Sequence, residues 1–245
     1  MKSKVDITIT ATVRPKLLDT TLTSFYNNLF CEDPDRYRII INVDPVGEVG
    51  STQQDMVDVC HKYFKEVIYN FPEKPSFSKA VIWCWTQTEA QFIYHLEDDW
   101  ALNRPVKMKT MIQILKENPN LACLRFSKYN VPEGNHIVLF ESAYTLKKGY
   151  YLAADSSSQF GLNPCLIKSE YVKTAVKLMT ENINPEKQFR ANNGRMRPFV
   201  KMWQYGIYSE PGQPALVTDI GRNWRKIHNF KKPKNSAFLV WEKPS

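Results

Sequence analysis

The hydrophobic and polar positions along the first hundred residues predict strands that alternate with helices. Residues 5–12 (VDITITAT) alternate apolar and polar side chains, as strands do, and residues 17–30 have the 3.6-residue spacing of an amphipathic helix. Residues 37–44 form a continuous apolar run that is typical of a strand covered on both faces. The same reasoning predicts a helix over 52–65, a strand over 66–70, a helix over 78–90 and a strand over 91–96.

This alternation predicts an α/β fold with a mostly parallel central sheet flanked by helices. The second half of the chain is less regular. Its pattern predicts a helix near 106–117, a strand over 122–128, a hairpin through 136–153 and a helix over 168–181. Because the chain has 245 residues, of which 43% are hydrophobic, it can bury its own core, and we expect a single domain over 1–245.

Composition adds an expectation about location. The sequence contains no apolar run of about 18 residues that could span a membrane, and its N-terminus enters strand-like sequence without a signal-peptide core. The five cysteines are scattered, and their odd number suits reduced thiols better than a disulfide framework. These features predict a cytoplasmic protein without a membrane span.

The net charge of +8 is concentrated in the last quarter of the chain. Residues 190–245 contain eleven Lys and Arg against three Asp and Glu, whereas residues 1–189 contain 22 of each kind. A basic segment of this kind indicates an anionic partner, such as the phosphates of a nucleotide, a nucleic acid or a membrane surface, although a solubilising tail has the same composition.

Polar side chains follow three of the predicted strands. The first strand runs into Thr12 and Arg14, the second into Asp44, and the fourth into the triplet Glu97-Asp98-Asp99. In open α/β sheets, ligands bind at the carboxyl ends of the strands, so we expect these residues to converge on one edge. The first strand is followed by neither of the two common glycine-rich nucleotide-binding motifs, which argues against a dehydrogenase or a P-loop enzyme.

The acidic triplet is the strongest chemical signal in the sequence. Three adjacent carboxylates at the end of an apolar strand repel one another, and a divalent cation would favour their ionised forms. In extended backbone, Glu97 and Asp99 would point to one face and Asp98 to the other. Oxygen ligands of this kind suit Mg²⁺ or Mn²⁺ and leave positions for water and a diphosphate.

The sequence LEDDW (96–100) resembles the acidic D-x-D motif, in an E-D-D variant, of glycosyltransferases with the Rossmann-like A-type fold. This resemblance implies a metal-dependent enzyme with a nucleotide-sugar donor, a UDP-sugar by preference. Asp99 would then be a metal ligand, and Glu97 and Asp98 would contact the donor.

Other segments match the same family in order along the chain. The opening Thr12-x-Arg14-Pro15 resembles the T-x-R-P segment that holds the nucleotide, Asp44 takes the place of an acid that meets the base or ribose, and Lys79 lies where a helix begins beside the donor. Under this resemblance, residues 1–104 form a nucleotide-sugar-binding half and residues 105–245 an acceptor-binding half.

Residues 216–230 would complete the site under this resemblance. Many A-type transferases use a late histidine as a further metal ligand, and His228 is the corresponding residue here. Arg222 and Arg225 would hold the leaving diphosphate, on which negative charge develops as the glycosidic bond breaks. A surface loop that is merely basic explains these residues equally well.

An inverting transferase also needs a carboxylate that deprotonates the acceptor hydroxyl. By resemblance of the preceding acceptor segment, Glu186 is the first choice for this base and Asp155 is its competitor. The acid pair that the family commonly has at this place is replaced here by Glu-Lys-Gln, and a surface role for Glu186 stays open.

The basic segment favours a polyanionic acceptor. Over residues 190–234, Lys and Arg are interleaved with aromatic residues, and such a surface can bind phosphates and stack on bases. We therefore expect a bacteriophage enzyme, active in the host cytoplasm, that modifies 5-hydroxymethylated pyrimidines in DNA, where the target base is flipped out of the duplex. The alternatives are a transferase acting on a surface glycan, lipid or protein, and a non-catalytic protein that binds nucleic acid or carbohydrate.

Overall fold

A ten-stranded sheet forms the centre of the computed structural model, which describes residues 5–139, 141–155, 161–189 and 194–228. The strands are β1 Val5–Val13, β2 Tyr37–Gly47, β3 Val67–Asn70, β4 Phe92–Glu97, β5 Trp100–Leu102, β6 Leu121–Arg125, β7 His136–Leu139, β8 Ser142–Lys147, β9 Tyr150–Ala153, β10 Cys165–Lys168, β11 Gln204–Ile207 and β12 Val217–Asp219. The α-helices are α1 Pro15–Phe25, α2 Gln53–His61, α3 Phe77–Thr86, α4 Met108–Glu117, α5 Ser169–Leu178, α6 Pro185–Lys187, α7 Met196–Lys201 and α8 Gly221–Ile227.

The strand order in the large sheet is β3-β2-β1-β4-β10-β6-β11-β9-β8-β7. The first four strands are parallel, β10 is antiparallel to both of its neighbours, and β6 therefore runs in the same direction as β4. The predicted α/β fold with flanking helices is confirmed, and its parallel part is followed by a mixed part. The carboxyl ends of β1, β2, β4 and β6 consequently lie at one edge of the sheet.

Helices cover both faces of the sheet with apolar side chains. On one face, the core includes Leu22 of α1, Met56 of α2 and Leu115 of α4, all fully buried. On the other face, it includes Trp85 of α3 and Tyr171 of α5. The large sheet is thus the middle layer of three, which explains why β2 reads as a continuous apolar run.

Several predicted boundaries shift in the structure. The helix predicted over 17–30 is α-helical only to Phe25, and Tyr26–Phe30 continue as a π-helical turn. The helix predicted over 78–90 ends at Thr86, where the Thr88 hydroxyl donates to the Trp85 carbonyl (2.8 Å) and begins a turn. The predicted hairpin through 136–153 consists of three antiparallel strands, β7, β8 and β9.

A separate two-stranded sheet pairs β5 with β12 and was not predicted. Its register places Asp219 opposite Trp100, and the Ile220 amide donates to the Asp99 carbonyl (2.9 Å). Strands of three residues have too little periodicity to be recognised in a sequence. This pairing brings the beginning of α8 against the acidic triplet.

The part of the chain that the structure describes contains no helix with the length and apolar character needed to cross a membrane.

Candidate functional site

A cavity of about 130 Å³ lies at the carboxyl edge of the sheet, where the sequence predicted that polar residues converge. Its lining includes seven predicted site residues: Thr12, Arg14, Asp44, Glu97, Asp98, Asp99 and Arg225. The parallel strands β1, β2 and β4 deliver six of them to this edge, because each strand or the turn that follows it ends there.

Asp98 is paired with Arg14 inside this cavity. The guanidinium donates from Nε to Asp98 Oδ2 (3.0 Å) and from Nη2 to Oδ1 (2.5 Å), and both side chains are 3% exposed. The Thr12 amide donates to the same carboxylate at 3.3 Å, and the Thr21 hydroxyl donates to the Asp98 carbonyl. Burial opposes the charged form of Arg14, but Asp98 and Asp99 raise its pKa well above the ordinary value. The negative charge of Asp98 is therefore balanced by Arg14, and hydrogen bonds hold the carboxylate in place.

Asp99 is less well neutralised than Asp98. Its nearest cations are Arg14 Nη2 at 3.4 Å and Arg225 Nη1 at 3.6 Å, both beyond the length of a good charged hydrogen bond. Burial raises the pKa of Asp99 to about 6; Arg14 and Arg225 act against this shift, and Asp98 and Asp219 add to it. Asp99 is thus a buried acid whose charge the protein only partly compensates.

The predicted alternation of the triplet, with Glu97 and Asp99 on one face and Asp98 on the other, is wrong beyond Glu97. Strand β4 ends at Glu97, and Asp98 and Asp99 lie in a turn, so the period of two does not apply beyond Glu97. All three carboxylates line the cavity. Glu97 accepts a hydrogen bond from Trp100 Nε1 (3.2 Å).

A second cavity of about 360 Å³ adjoins the first, and Asp44 and Ala80 line both. Asp44 accepts hydrogen bonds from Asn42 Nδ2 and the Ser76 amide, each at 3.0 Å, and Asn42 Oδ1 accepts from Asn70 Nδ2 at 2.7 Å. Burial raises the pKa of Asp44 to about 6. We call the second cavity, which contains the side-chain amides of Asn42 and Asn70, the amide end of the site, and the first cavity, which contains the acidic triplet, its charged end.

Lys79 lies in the second cavity rather than in the first. Its Nζ pairs with Glu181 (3.1 Å), and its side chain is more than half exposed. Asn70 and Ser76, which the sequence analysis did not single out, also line this cavity. Asn70 ends β3, so a polar residue at the carboxyl end of the third strand was the signal that could have identified it.

The residues predicted in and after α8 have different surroundings. Arg225 reaches the cavity, whereas the largely exposed Arg222 donates from Nε to Asp219 (3.1 Å). His228 follows the helix, stacks on Trp224 with ring centroids 4.3 Å apart, and donates from Nδ1 to the Trp224 carbonyl (2.9 Å). Within the described ranges, no three His, Cys, Asp or Glu side chains are grouped closely enough to hold a metal ion.

Neither predicted base lines the first cavity. Glu186 belongs to the short helix α6, and its carboxylate accepts from the Leu162 amide (3.4 Å). This segment adjoins the start of α3, because Ser78 Oγ donates to the Ile183 carbonyl (2.7 Å). Asp155 is exposed and follows β9. The structure therefore brings Glu186 near the helix that borders the cavity and leaves Asp155 at the surface.

Asp219 is the charged residue in the lining of the first cavity that was not predicted from the sequence. It lines the first cavity because β12 pairs with β5 beside the triplet. The next helix packs so closely that a Cβ atom on Gly221 would lie 2.1 Å from Asp99 Oδ2. No local pattern points to this contact, since it joins segments far apart in sequence.

No family model matches this sequence, and no curated protein sequence does. Solved structures do resemble it: a 1–349 fragment of S. aureus TarS in complex with UDP (TM-score 0.52, 12% identity) and the mannosyltransferase PcManGT from Pyrobaculum calidifontis in complex with GDP-Man and Mn²⁺ (TM-score 0.55, 10% identity). Each likeness covers 86% of this chain, which spans 59% and 55% of those two chains. The chain has a glycosyltransferase A-type fold.

A nucleotide-binding enzyme of another kind shares this architecture. CMP:2-keto-3-deoxy-manno-octonic acid synthetase, complexed with CTP, superimposes with a TM-score of 0.52 at 13% identity, covering 92% of this chain and 97% of its own. At such low identities the likeness concerns the fold, and the function must be argued from the site itself.

Proposed function

We propose that this protein is a glycosyltransferase that moves a sugar from a nucleotide-sugar donor, by preference a UDP-sugar, to a hydroxyl group. The observation that carries the proposal is the pair of adjoining cavities at the carboxyl edge of the sheet, which meet at Asp44. The side chains that line them suit a nucleoside at the amide end and a diphosphate at the charged end. Residues 1–104 would form the donor half and residues 105–245 the acceptor half.

The amide end would bind the base and ribose. Asn42, Asp44 and Asn70 form a chain of hydrogen bonds that fixes which oxygen and nitrogen atoms face the cavity. Lys79, at the border of the same cavity, would contact the donor electrostatically. Fixed donors and acceptors of this kind give selectivity among bases, because a mismatched base leaves buried polar groups unpaired.

The charged end fits a divalent cation, Mn²⁺ or Mg²⁺, bound together with the diphosphate. Asp99 is buried, faces the cavity and is only partly neutralised by arginines. Asp219 lines the same cavity, and such ions are commonly held by one or two carboxylates plus phosphate oxygens. His228, a further proposed ligand, is not among the described residues that line the cavity; it would bind the ion through Nε2, since its Nδ1 donates to a carbonyl. The ion would supply positive charge to the leaving diphosphate.

The side chains around this end have distinct proposed roles. Arg14 holds Asp98 and the Asp99 turn in place, while Arg225 faces the cavity and would stabilise the negative charge of the leaving group. Arg222 would also stabilise the negative charge of the leaving group, once its ion pair with Asp219 has opened. Glu186, or else Asp155, would take the proton of the acceptor hydroxyl in an inverting displacement.

For the acceptor we propose a 5-hydroxymethylated pyrimidine in phage DNA; a surface glycan, lipid or protein is the alternative. The support is the cluster of basic side chains in the second half, of which Arg195, Arg197 and Lys201 are exposed. Several basic residues expected to contribute lie outside the described residues: Arg190, Lys231, Lys232 and Lys234.

Nucleotide binding with and without Mn²⁺ tests the donor half of the proposal. UDP at about 100 times its dissociation constant should stabilise the protein by about 2.7 kcal/mol in thermal or urea unfolding. Asp99→Asn should abolish the part of this stabilisation that depends on Mn²⁺, whereas the exposed Asp58→Asn, a matched loss of one carboxylate, should retain it. The absence of any shift with every nucleoside diphosphate would instead favour a non-catalytic binding protein.

The acceptor is tested by turnover of nucleotide-sugars on DNA. Transfer to 5-hydroxymethylated DNA should exceed the background hydrolysis seen with plain DNA of the same sequence. Equal, background-level rates on both would remove DNA as the acceptor while leaving the donor result intact.

A further inference from the structure

A short loop that follows β6 lies beside the proposed active site. Strand β6 runs in the same direction as β4, so its carboxyl end is at the same edge as Glu97. The residues after this strand include Ser127, Lys128 and Tyr129. Neither composition nor motif singled them out, and the basic segment predicted to bind DNA lies much later in the chain.

The loop is held in place by hydrogen bonds. Ser127 Oγ donates to the Tyr129 carbonyl (2.7 Å) and accepts from the Tyr129 amide (3.1 Å). The Ser127 carbonyl in turn accepts from the amides of Leu216 and Val217, at 2.8 and 3.2 Å. Val217 begins β12, the strand that delivers Asp219 to the cavity. The loop is thus fixed with respect to the acidic turn.

Its side chains continue the wall of the cavity toward the surface. Trp100, which lines the cavity and donates to Glu97, lies 6.0 Å from Lys128 Nζ, measured to the ring centroid. The same ammonium lies 5.7 Å from the centroid of the Tyr129 ring, and Tyr129 is 49% exposed. The order outward from the site is therefore a buried ring (Trp100), a cation (Lys128) and an exposed ring (Tyr129).

An exposed aromatic ring is uncommon in this molecule. Among the described aromatic residues, Tyr129 and Tyr69 are about half exposed, and Tyr69 lies on the edge strand β3, against Phe71. The aromatic residues of the later basic segment, by contrast, are mostly packed inside: Phe189, Phe199, Tyr205 and Trp224 are all buried.

We propose that Lys128 and Tyr129 form an acceptor platform that stacks one base of a single-stranded or locally opened nucleic acid and binds the adjacent phosphate. The proposal deepens the function proposed above and rests on it. An exposed aromatic face accepts any base, and an ammonium held beside it matches the phosphate of the same nucleotide. An open-chain polyol phosphate would use the lysine but has no ring to stack on the tyrosine.

The test uses the full chain loaded with UDP and Mn²⁺, so that the donor site is occupied, and a fluorescent oligothymidylate of about eight nucleotides as the probe. Tyr129→Leu should weaken binding of the probe roughly 10-fold, and Tyr129→Phe, which keeps the ring, should not. Lys128→Gln should reduce the slope of log affinity against log salt by about 0.7, the value for one phosphate contact on a single strand.

Controls separate this platform from the donor site and from general charge. Lys116→Gln removes an exposed lysine at the opposite edge of the sheet and should leave the salt slope unchanged if the contact is local. UDP affinity, measured in parallel, should be the same in all variants. Failure of UDP to bind the wild type would reject the proposed function, while the oligonucleotide titration would still report on the platform.

Four results would overturn the platform. The first is no binding of the oligonucleotide to the wild type. The second is equal affinity in Tyr129→Leu and wild type. The third is a loss in Tyr129→Leu that is matched by weaker UDP binding, since this would show a structural effect on the whole site. Tighter binding of a poly(glycerol phosphate) than of the oligonucleotide would also reject a base-stacking role.

Discussion

Three buried aspartates at one sheet edge have different surroundings, and these give them different chemistry. Asp98 meets the fork of Arg14 in two hydrogen bonds. Asp99 has two cations at longer range. Within the described part of the chain, the hydrogen-bond donors to Asp44 are neutral: the Asn42 amide and the Ser76 backbone. Since neutral donors compensate a buried charge less than an ion pair does, the pKa of Asp44 is raised to about 6 by burial.

Asp44→Asn should therefore change how stability depends on pH. The folded protein binds the Asp44 proton more tightly than the unfolded chain does, so this carboxyl contributes most stability below about pH 4 and loses it as the pH rises through about 6. Relative to Asp44→Asn, the wild type should gain up to about 3 kcal/mol in unfolding free energy between pH 7 and pH 4. Urea denaturation at several pH values measures this difference.

If the difference in unfolding free energy between the wild type and Asp44→Asn is constant from pH 7 to pH 4, burial does not raise the pKa of Asp44. Asp58→Asn, an exposed carboxylate on α2, serves as the control for the loss of one negative charge.

At the scale of elements, α8 is docked on the acidic turn by several independent contacts. The Ile220 amide donates to the Asp99 carbonyl, and Trp224 Nε1 donates to Glu48 (2.9 Å), in the loop that follows β2. The Arg14 guanidinium lies 5.1 Å from the Trp224 ring centroid, at a distance suited to a cation–π contact. These contacts join the loop after β2, Arg14 and the acidic turn to α8.

Gly221→Ala tests how closely α8 must approach Asp99. A Cβ atom at this position would lie 2.1 Å from Asp99 Oδ2, so either the carboxylate or the helix must move. We expect a loss of about 1–3 kcal/mol in unfolding free energy, as overpacking typically costs, together with weaker Mn²⁺-dependent binding of UDP. Denaturation and calorimetry measure the two effects.

The matched control is Gly194→Ala, because a Cβ atom there meets no other atom within 4 Å. If Gly221→Ala behaves like this control in both measurements, α8 does not need to lie against the acidic turn.

At the scale of the whole molecule, one sheet joins the two halves of the chain. Strand β4, the last strand that the first half contributes to the large sheet, is hydrogen-bonded on one side to β1 and on the other to β10. Strand β5, also in the first half, is paired with β12 of the second half. Without the second half, the buried strand Phe92–Glu97 would present an open, largely apolar edge, which is a template for aggregation.

The fragment 1–104 should therefore not fold as an independent unit. We expect it to lack a cooperative unfolding transition and near-ultraviolet circular dichroism, and to associate through its open edge. A soluble, cooperatively unfolding fragment that binds UDP would show instead that the donor half is a separate domain.

The order of strands and helices from β1 to β4 followed from the sequence because periodicity is a local property. The convergence of Thr12, Arg14, Asp44 and the acidic triplet followed as well, since the carboxyl ends of parallel strands share one edge. Only the tertiary structure decided that Arg14 pairs with Asp98, that Asp219 joins the site, and that the mixed part of the sheet places Tyr129 beside it.

Whether the aromatic residues of the basic segment are buried or exposed was likewise decided only by the tertiary structure. Phe189, Phe199 and Tyr205, which the sequence interleaves with Lys and Arg, pack around Tyr171 in the core instead of facing a partner. Side chains with equal local patterns can be buried or exposed, depending on which distant helix covers them. The sequence by itself thus determined the fold class and the acidic edge, whereas long-range packing decided which charges are paired and which rings remain accessible.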